Sequence, residues 1–460
     1  MDRVPEAIDR LLKQYGQEHV LEGWRKLDPE RRRVFVQELK QLDISELRAL
    51  YERRHEKTTL PLAESIAPLP RPAEGHDAEL RLSGTLAFKR GEIAFLIVAG
   101  GQGTRLGFDH PKGMFEVGPV SKRTLFQIHA EKVLALNRRF GHDFPLLLMT
   151  SPATHDETVA FFVEKNWFGL PKASVVFFQQ GTMPALDLAT GKLLVEEPGR
   201  LFLGPNGHGG TLTGLADHGL LDELGRRGIR TIYYFQVDNP LVHLADYVFV
   251  GRHLAKRAEV SSKVVAKQFP TEKLGNLALI DGRCGIIEYS DLPEELARAT
   301  DDRGRPKLWA GNPAIHLFDV GFLQRVVGGA ERIPWHIAKK KVPHLGDPAP
   351  AKENALKFER FIFDVLPLAD RWTVTATTRP EEFEPLKNAE GPESPATVRQ
   401  AIIEQAGRWL EHAGAKVPRN AEGKVAVPIE ISPLVALEAA DLEGKIPTGT
   451  RFDQPTYLQP

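Results

Sequence analysis

The sequence is poor in three features that would each have indicated a class of protein. It contains one cysteine, Cys284, in 460 residues, so no disulfide can form within the chain, and we expect a reducing, cytoplasmic setting. Lys and Arg number 60 and Asp and Glu 61, so no overall field favours nucleic acid or an acidic membrane. No apolar run approaches the roughly 20 residues that cross a bilayer, and the N-terminus lacks a signal peptide's apolar core.

These absences limit the partners of the protein. We expect neither nucleic acid nor a membrane, and an anionic ligand must be held by local basic residues. The chain is long enough for two or three domains. Cys284 lies in a strand-like run, "GRCGIIEYS", and is interpreted as a small buried apolar residue rather than a catalytic thiol.

Helical periodicity dominates the first part of the chain. Apolar residues recur three or four apart over residues 5–55, with Asp28 and either Asp43 or Ser45 as helix caps and Pro29 in a first turn. A proline-rich stretch over 58–77 then predicts an extended linker. We expect an N-terminal helical arm and linker over 1–85.

From residue 90 the pattern changes to short apolar runs that alternate with amphipathic stretches. This alternation predicts an α/β fold whose main sheet is mostly parallel and twisted, with helices on both faces. Closely spaced later runs suggest an antiparallel subdomain beside that sheet. A catalytic domain is expected over 86–378 and a small β-rich C-terminal domain over 379–460, with a helix near 401–414. The main runs are 93–99, 144–150, 173–180 and 230–238, and the later ones are "SSKVVAK", "NLALID", "CGIIEYS" and "AIHLFDV".

The glycine-rich loop "GGQGTRLG" comes directly after the first apolar run, at 100–107. It lacks the Gly-Lys-Ser/Thr ending of a Walker loop and the spacing of a Rossmann fingerprint. It could be only a turn that reverses the chain. The cations Arg105 and Lys112 in the same loop favour a nucleoside triphosphate instead, because glycine main chain exposes N–H groups to phosphate oxygens.

The loop and the residues after it, "AGGQGTRLG…PKG", resemble the signature of the uridylyltransferases that make UDP-sugars. The branch most resembled is that of the UDP-N-acetylhexosamine pyrophosphorylases. The resemblance covers about residues 90–435 and implies a nucleotide-diphospho-sugar transferase fold of GT-A-like type. Matching stretches occur in order along the chain: "FFQQG", "GPNGHGG", "QVDNPLVHLAD", "KQFPTEKLG", "IIEYSDL", "AGNPAIHLF", "WHIAKKKVP", "NALKFERFIFD", "EEFEPLKN" and "IEISPL".

The resemblance implies that UTP and a hexosamine 1-phosphate react to give a UDP-sugar and pyrophosphate. The nucleophile is then a substrate oxygen, so no enzymic nucleophile is required. Mg²⁺, with Mn²⁺ as an alternative, is expected at Asp238, and Asp364 is a weaker carboxylate candidate. The implied catalytic residues are Arg105 and Lys112, and the implied nucleotide-binding residues are Ala99, Gly100, Gly101, Gly103, Gln180, Gly207 and Asp238.

The sugar-phosphate side is implied by the later motifs. His208 is expected to face the sugar, and Lys357 is preferred over the exposed-looking run 339–341 for the phosphate, with Arg360 as a helper. The remaining implied residues are Gly275, Glu288, Tyr289 and Asn312.

The sequence departs from the hexosamine pattern where the sugar's 2-substituent would lie. His208 resembles the glucose 1-phosphate branch, Gly210 resembles the hexosamine branch, and Ile315 replaces a usual Asn. N-acetylglucosamine 1-phosphate is therefore the expected substrate, with glucose or galactose 1-phosphate as the alternative. A non-catalytic UDP-sugar-binding protein and a retaining glycosyltransferase remain further hypotheses, and a monomer or weak homo-oligomer is expected.

Overall fold

The computed structural model describes residues 3–55, 62–71, 77–329 and 333–460. The chain divides into two compact units. The first unit comprises Met1–Leu60, Gln180–Gly210 and Arg332–Asp364, and the second comprises Pro61–Gln179, Thr211–Glu331 and Val365–Pro460. The domain boundaries expected from the sequence remain a prediction.

The described residues form helices and strands in mixed order along the chain. The α-helices are α1 (Glu6–Gln14), α2 (Pro29–Gln41), α3 (Ile44–Glu52), α4 (Asp77–Lys89), α5 (Leu125–Phe140), α6 (His155–Glu164), α7 (Gly210–Asp217), α8 (Leu220–Arg226), α9 (Tyr247–Ala255), α10 (Glu294–Arg298), α11 (Val320–Gly328), α12 (Arg379–Glu382) and α13 (Pro395–His412). The strands are β1 (Ile66–Pro68), β2 (Ile93–Val98), β3 (Leu146–Thr150), β4 (Val175–Gln179), β5 (Thr182–Pro184), β6 (Leu186–Asp187), β7 (Val195–Glu197), β8 (Arg200–Leu201), β9 (Leu203–Pro205), β10 (Thr231–Gln236), β11 (Val260–Ala266), β12 (Asn276–Ile280), β13 (Arg283–Ile287), β14 (Ala310–Gly311), β15 (His316–Asp319), β16 (His336–Lys340), β17 (Ala355–Glu359), β18 (Trp372–Thr377), β19 (Ile429–Ile431) and β20 (Thr456–Leu458).

The first unit begins with the helices that the sequence predicts. Asp28 accepts a hydrogen bond from the Arg31 N–H at 2.8 Å, and Asp43 accepts one from the Glu46 N–H at 2.9 Å. These two carboxylates satisfy N–H groups that have no partner within α2 and α3. The predicted caps at Asp28 and Asp43 are therefore confirmed.

A small antiparallel sheet, in the order β16-β17-β6, lies in the same unit as these helices. Leu356 and Phe358 of β17 and Leu186 of β6 are buried in one apolar cluster with residues of α1, α2 and α3. The N-terminal helices therefore contribute to the core of this unit.

The second unit is built on one 11-stranded sheet, whose main path is β1-β12-β14-β11-β15-β10-β2-β3-β4. Strands β10, β2, β3 and β4 are mutually parallel. Their sequences are continuously apolar, as in "IAFLIV" of β2, because helices cover both faces of a parallel sheet. The four runs that the sequence predicts as main strands are thus confirmed.

The expectation of a mostly parallel sheet is wrong for the whole sheet. The remaining strand pairs are antiparallel except β11 with β18, which is parallel. They also belong to the main sheet rather than to a subdomain beside it. The reason is the connections: β12 and β13 are joined only by Asp281 and Gly282, whose φ values of 49° and 79° suit a tight hairpin turn. The coarse prediction of an α/β fold is confirmed.

The C-terminal segment 379–460 is not β-rich. Its longest element is α13, with 18 residues, and its paired strands β19 and β20 have three residues each. The stretch expected to be strand-like, "KVAVPIEISPLVAL", contains only β19, because its prolines at 428 and 433 remove N–H donors close to both ends of the pairing segment. The predicted helix near 401–414 is confirmed.

Two other expectations concern a linker and a thiol. Of the predicted linker 58–77, residues 58–61 and 72–76 lie outside the described residues, while Ile66–Pro68 forms the edge strand β1. Cys284 is buried in β13, and burial raises the pKa of its thiol to about 12, as expected for an unreactive apolar residue. In the described part of the chain, no helix combines the length and apolarity needed to cross a membrane.

Helices α4 and α9 cross at two glycines that leave no space for a side chain. A Cβ on Gly84 would lie 1.9 Å from the Tyr247 carbonyl oxygen, and one on Gly251 would lie 1.8 Å from the Leu80 carbonyl oxygen. We expect Gly84→Ala to lower the free energy of unfolding by about 2 kcal/mol, because the helices must move apart.

The matched control is Gly225→Ala in α8, where the nearest atom to a new Cβ would be 3.8 Å away. This substitution should be neutral or stabilise the protein by up to about 1 kcal/mol, since alanine favours helix. Urea unfolding of both variants measures the difference, and equal stability would contradict the close helix contact.

Candidate active site

The glycine-rich loop and Asp238 lie at the carboxyl ends of adjacent parallel strands. Val98 of β2 pairs with Gln236 of β10, and the pairing continues one residue further, where the Val237 N–H donates to the Val98 carbonyl at 3.1 Å. Ligands of open α/β sheets bind at this edge. The loop after β2 and the segment after β10 therefore leave the sheet side by side.

Lys112 and Asp238 form an ion pair at this edge. The Lys112 Nζ is 3.3 Å from the Asp238 Oδ2, and the two side chains are 20% and 11% exposed. Both charges are thus partly shielded from water while still reachable by a ligand. Arg105 lies in the same loop, in a short 3₁₀ turn (Thr104–Leu106), and is exposed.

The loop is closed by its own main chain. The Lys112 N–H donates to the Gly101 carbonyl at 3.0 Å, and the Gly103 N–H donates to the His110 carbonyl at 2.9 Å. The Ser151 hydroxyl donates to the Gly100 carbonyl at 2.8 Å, and Ala99 is buried. These bonds fix the position of Lys112 relative to the first glycines of the loop.

Glycine is required at different positions of this loop for different structural reasons. A Cβ on Gly103 would lie 2.7 Å from Phe108, and one on Gly113 would lie 2.2 Å from the Phe126 ring, so packing excludes a side chain at both. Gly107 has φ 67°, a left-handed backbone conformation that residues with a side chain rarely adopt. Gly101 has neither constraint, because a Cβ there would meet nothing within 4 Å. Its open side is free to face a ligand.

The residues present fit a magnesium ion that takes most of its ligands from substrate. In the described ranges no three His, Cys, Asp or Glu residues form a metal-binding group. Asp238 supplies one carboxylate at the strand end. Mg²⁺ commonly binds through one or two carboxylates and completes its shell with phosphate oxygens and water, so the single carboxylate suits that mode.

Three of the predicted sugar-side residues are brought together in the second unit. A Cβ on Gly275 would lie 3.2 Å from the Glu288 Oε1 and 3.7 Å from the Asn312 Cβ. The Asn312 N–H donates to the Gly275 carbonyl at 2.9 Å, and the Asn312 Oδ1 accepts from the Ala314 N–H at 2.9 Å. Tyr289 is next to Glu288 in the chain and is 46% exposed. These residues form a polar group at the β12–β13–β14 end of the sheet.

The first unit contains the predicted residues of the "GPNGHGG" turn and Gln180. Gly207 has φ 83°, and a Cβ there would lie 2.4 Å from the Arg360 carbonyl oxygen, so the turn packs on the main chain just after β17. Gln180 is 7% exposed, and its Cβ is 3.2 Å from the place that a Cβ on Gly210 would take. The glycine at 207 is thus explained by conformation and packing within the chain.

His208 is held in an aromatic stack. Its ring lies 5.2 Å from Phe361 at an interplanar angle of 30° and 5.4 Å from Phe363, and its Nδ1 accepts from the Ile362 N–H at 3.2 Å. Burial, with a smaller effect of His336, lowers the pKa of His208 to about 4. The imidazole is therefore neutral at pH 7.

Asp364, the weaker carboxylate candidate, contacts His336. Its Oδ2 lies 2.8 Å from the His336 Nε2 and accepts from the Phe361 N–H at 3.4 Å. The His336 ring is 4.5 Å from Phe361. Asp364 therefore orients the histidine and aromatic cluster around His208. His336 and Phe361 were missed as supporting residues, although the quoted motifs "WHIAKKKVP" and "NALKFERFIFD" contain them.

Lys357 is partly buried on β17, whereas residues 339–341 are exposed. Its Nζ lies 5.9 Å from the Phe202 ring centre, and Gly204 leaves space for its side chain, since a Cβ there would be 2.6 Å from the Lys357 Cε. Arg360 lies 3.8 Å over Trp335 and 3.7 Å from Glu46 of α3. The preference for Lys357 over the exposed run stays a prediction that this placement supports.

A glycine loop, a lysine and a carboxylate thus lie together at the edge where α/β proteins with an open sheet bind their ligands. Residues 50–402 match the family described as UTP–glucose-1-phosphate uridylyltransferase. The chain therefore belongs to this family of uridylyltransferases.

Individual relatives support this membership. The chain is 36% identical to the human "UDP-N-acetylhexosamine pyrophosphorylase-like protein 1", over 97% of this chain and 96% of that protein. It is 40% identical to the "UDP-N-acetylglucosamine pyrophosphorylase" of Saccharomyces cerevisiae, over 73% of each. The crystal structure of the uridine diphosphate N-acetylglucosamine pyrophosphorylase from Trypanosoma brucei in complex with inhibitor has a TM-score of 0.79 at 27% identity, over 96% of this chain and 94% of that one.

The open side of Gly101 gives a test of ligand contact. Gly101→Ala should leave the free energy of unfolding unchanged, because its Cβ meets no atom of the protein. It should weaken UTP binding by about tenfold, which corresponds to roughly 1.4 kcal/mol, if main chain at this position approaches the nucleotide. Calorimetric titration with UTP measures the affinity.

The comparison variant is Gly107→Ala, whose positive φ should cost about 1–2 kcal/mol of stability. A Gly101→Ala protein that binds UTP as well as the parent would contradict nucleotide contact at residue 101.

Proposed function

We propose that the protein transfers the uridylyl group of UTP to N-acetylglucosamine 1-phosphate, giving UDP-N-acetylglucosamine and pyrophosphate. The observation that carries the proposal is the partly shielded Lys112–Asp238 pair beside the glycine loop. A triphosphate needs positive charge, and Lys112 and Arg105 place two cations at this edge of the sheet. The names of the relatives supply the sugar.

The chemistry is an in-line displacement at the α-phosphorus of UTP. A phosphate oxygen of the sugar 1-phosphate forms the new P–O bond, and the bond from the α-phosphorus to the bridging oxygen breaks. Pyrophosphate leaves with that electron pair, so no net oxidation or enzymic covalent intermediate is involved. Catalysis then consists of positioning the reactants and stabilising charge.

Lys112 and Arg105 are proposed to neutralise the phosphates. Lys112 is fixed by the Gly101 hydrogen bond and by Asp238, so little reorganisation is needed when charge develops on the leaving oxygen. Arg105 is exposed and free to turn toward the outer phosphates. Asp238 is proposed to hold Mg²⁺, with Mn²⁺ as a substitute. The ion would supply further neutralisation of the phosphate oxygens.

Main-chain recognition of the nucleotide is proposed for the start of the loop. Ala99, Gly100, Gly101 and Gly103 are proposed to contact the nucleotide through main chain, and the open side of Gly101 supports this role. Gln180 is proposed to read uracil through its amide, and Gly207 to let main chain approach the nucleoside. We further propose the GT-A-like form of the α/β fold, which the parallel β10-β2-β3-β4 segment supports.

The sugar is proposed to be recognised by Gly275, Glu288, Tyr289 and Asn312, whose grouping at one sheet end supports a shared role. Glu288 is a hydrogen-bond acceptor for sugar hydroxyls. Lys357 is proposed for the sugar phosphate. His208 is proposed to face the sugar as a neutral ring, since its pKa is lowered to about 4.

Glucose or galactose 1-phosphate is the second candidate substrate. His208 stands where the hexosamine pattern has Asn, and the family description itself names glucose 1-phosphate. The single cysteine supports a cytoplasmic location, and we propose a monomer or weak homo-oligomer.

The substrate assignment is tested by pyrophosphate release from UTP with a panel of sugar 1-phosphates. We expect the highest kcat/KM with N-acetylglucosamine 1-phosphate. EDTA should abolish release, and added Mg²⁺ or Mn²⁺ should restore it. Release with glucose 1-phosphate alone would make the second candidate correct, and no release with any sugar would refute the enzyme assignment.

Lys112→Ala tests the role of the lysine in the transition state. We expect kcat to fall by about 10²–10³ while the KM for UTP changes only a few-fold, because the lysine acts most strongly on the charge that develops during displacement. Steady-state kinetics at saturating sugar phosphate measure both parameters. A raised KM for UTP with unchanged kcat would instead indicate uniform binding of the triphosphate and would contradict a role in the transition state.

A further inference from the structure

The segment just after Asp238 is held from one side by α5. The Lys132 Nζ donates to the Pro240 carbonyl at 2.5 Å and to the Val242 carbonyl at 2.7 Å. The His129 Nε2 donates to the Val237 carbonyl at 3.0 Å. Two side chains of one helix thus fix main-chain carbonyls on both sides of Asp238.

The other side of the segment is held by residues far along the chain. The Leu386 N–H donates to the Asp238 carbonyl at 2.8 Å, and the Asn239 amide donates to the Glu382 carbonyl at 2.8 Å. The Glu382 carboxylate accepts from the His243 N–H at 3.1 Å and from the Thr377 hydroxyl at 3.0 Å. The segment 379–386 is therefore bonded directly to the residues around Asp238.

Lys263 connects Glu382, and through it the segment 379–386, to the main sheet. It lies on β11, is 0% exposed, and donates to both oxygens of Glu382 and to the Asp246 Oδ2 at 2.7 Å. Burial alone would lower the pKa of Lys263, but Asp246 and Glu382 outweigh it and raise that pKa. Burial raises the pKa of Glu382. A buried ammonium requires such partners, because an unpaired charge there is strongly destabilising.

Apolar packing also holds this segment, since Val242 and Leu244 are buried in the main apolar core of the second unit. A cavity of about 290 Å³ lies against residues 240–244 and is also lined by Lys132 and Glu382. On the side of this cavity, the hydrogen bonds and ion pairs described above add polar restraints to the apolar packing.

We propose that the buried ion cluster of Lys263, Asp246 and Glu382, together with Lys132, is the positioning element that holds Asp238 against Lys112. Glu382 is a positioning residue: it contacts Asn239 and His243 on the segment and touches no reacting atom. This inference rests on the proposed role of Asp238. It assigns part of the C-terminal segment to the active-site edge of the sheet.

The test compares Glu382→Gln with Glu381→Gln in the full-length protein. Gln has the shape of Glu but removes the charge that Lys263 requires. Glu381 is the adjacent acid, with a side chain 47% exposed and an ion pair to Arg408 at 2.7 Å, so it controls for loss of a charge at the same place. Hydrogen–deuterium exchange of peptides over 237–246, kcat, KM for UTP and the half-saturating Mg²⁺ concentration are measured for both.

Glu382→Gln should speed exchange over 237–246 by about tenfold relative to the rest of the sheet. It should lower kcat by about tenfold, raise the half-saturating Mg²⁺ concentration several-fold and leave the KM for UTP within about twofold. Glu381→Gln should match the parent. A Glu382→Gln protein with parental exchange in this segment and parental kcat, even with a lower melting temperature, would show that the cluster only stabilises the fold and would overturn the proposal.

A second variant covers the case in which Glu382→Gln does not fold. Thr377→Val removes one hydrogen bond to Glu382 and no charge, and it should give smaller changes in the same direction; no change in exchange or kcat would again overturn the proposal. The exchange measurement does not require activity. A parent protein without pyrophosphate release would therefore refute the proposed function while the exchange comparison still decides the positioning role.

Discussion

The parallel pairing of β2 with β10 is the constraint on which the candidate site depends. Because Val98 and Gln236 lie in register, the segments that follow β2 and β10 leave the sheet at the same level. This arrangement brings the Lys112 Nζ to 3.3 Å from the Asp238 Oδ2, and the main-chain bond between Lys112 and Gly101 sets the loop at a fixed distance from the strand end. A shift of one residue in this pairing would turn the whole strand over and separate the two charges.

The sequence predicts well what periodicity and local caps determine. The four parallel strands, the caps at Asp28 and Asp43 and the loop at the end of β2 are all found where the patterns place them. The antiparallel half of the sheet was assigned to a separate subdomain because strand order depends on long-range pairing, which periodicity does not encode. The hairpin at Asp281 and Gly282 was a local signal for antiparallel pairing that the prediction did not use.

In the candidate site, too, local sequence predicts some features and long-range contacts determine the others. The position of the glycine loop and the carboxylate at the end of β10 follow from local sequence. The reasons for the glycines follow only in part: Gly103 packs against Phe108, directly after the loop, whereas Gly113 packs against Phe126, which lies outside the motif. Lys263 was also missed, although a lysine inside the buried strand "VSSKVVA" signals a buried partner. That partner, Glu382, is 119 residues away, so no pattern within either segment identifies it.

That separation has a consequence for synthesis of the protein on the ribosome. Strands β2, β3, β4 and β10 are complete when the chain has reached Gln236, and they can pair as they emerge. Lys263 emerges soon afterwards with Asp246 as its available partner, while Glu382 and Leu386 are still untranslated. Until then the Lys263 ammonium has only one of its two carboxylate partners, and the hydrogen bonds that join Glu382 and Leu386 to the segment around Asp238 can form only once those residues have been made.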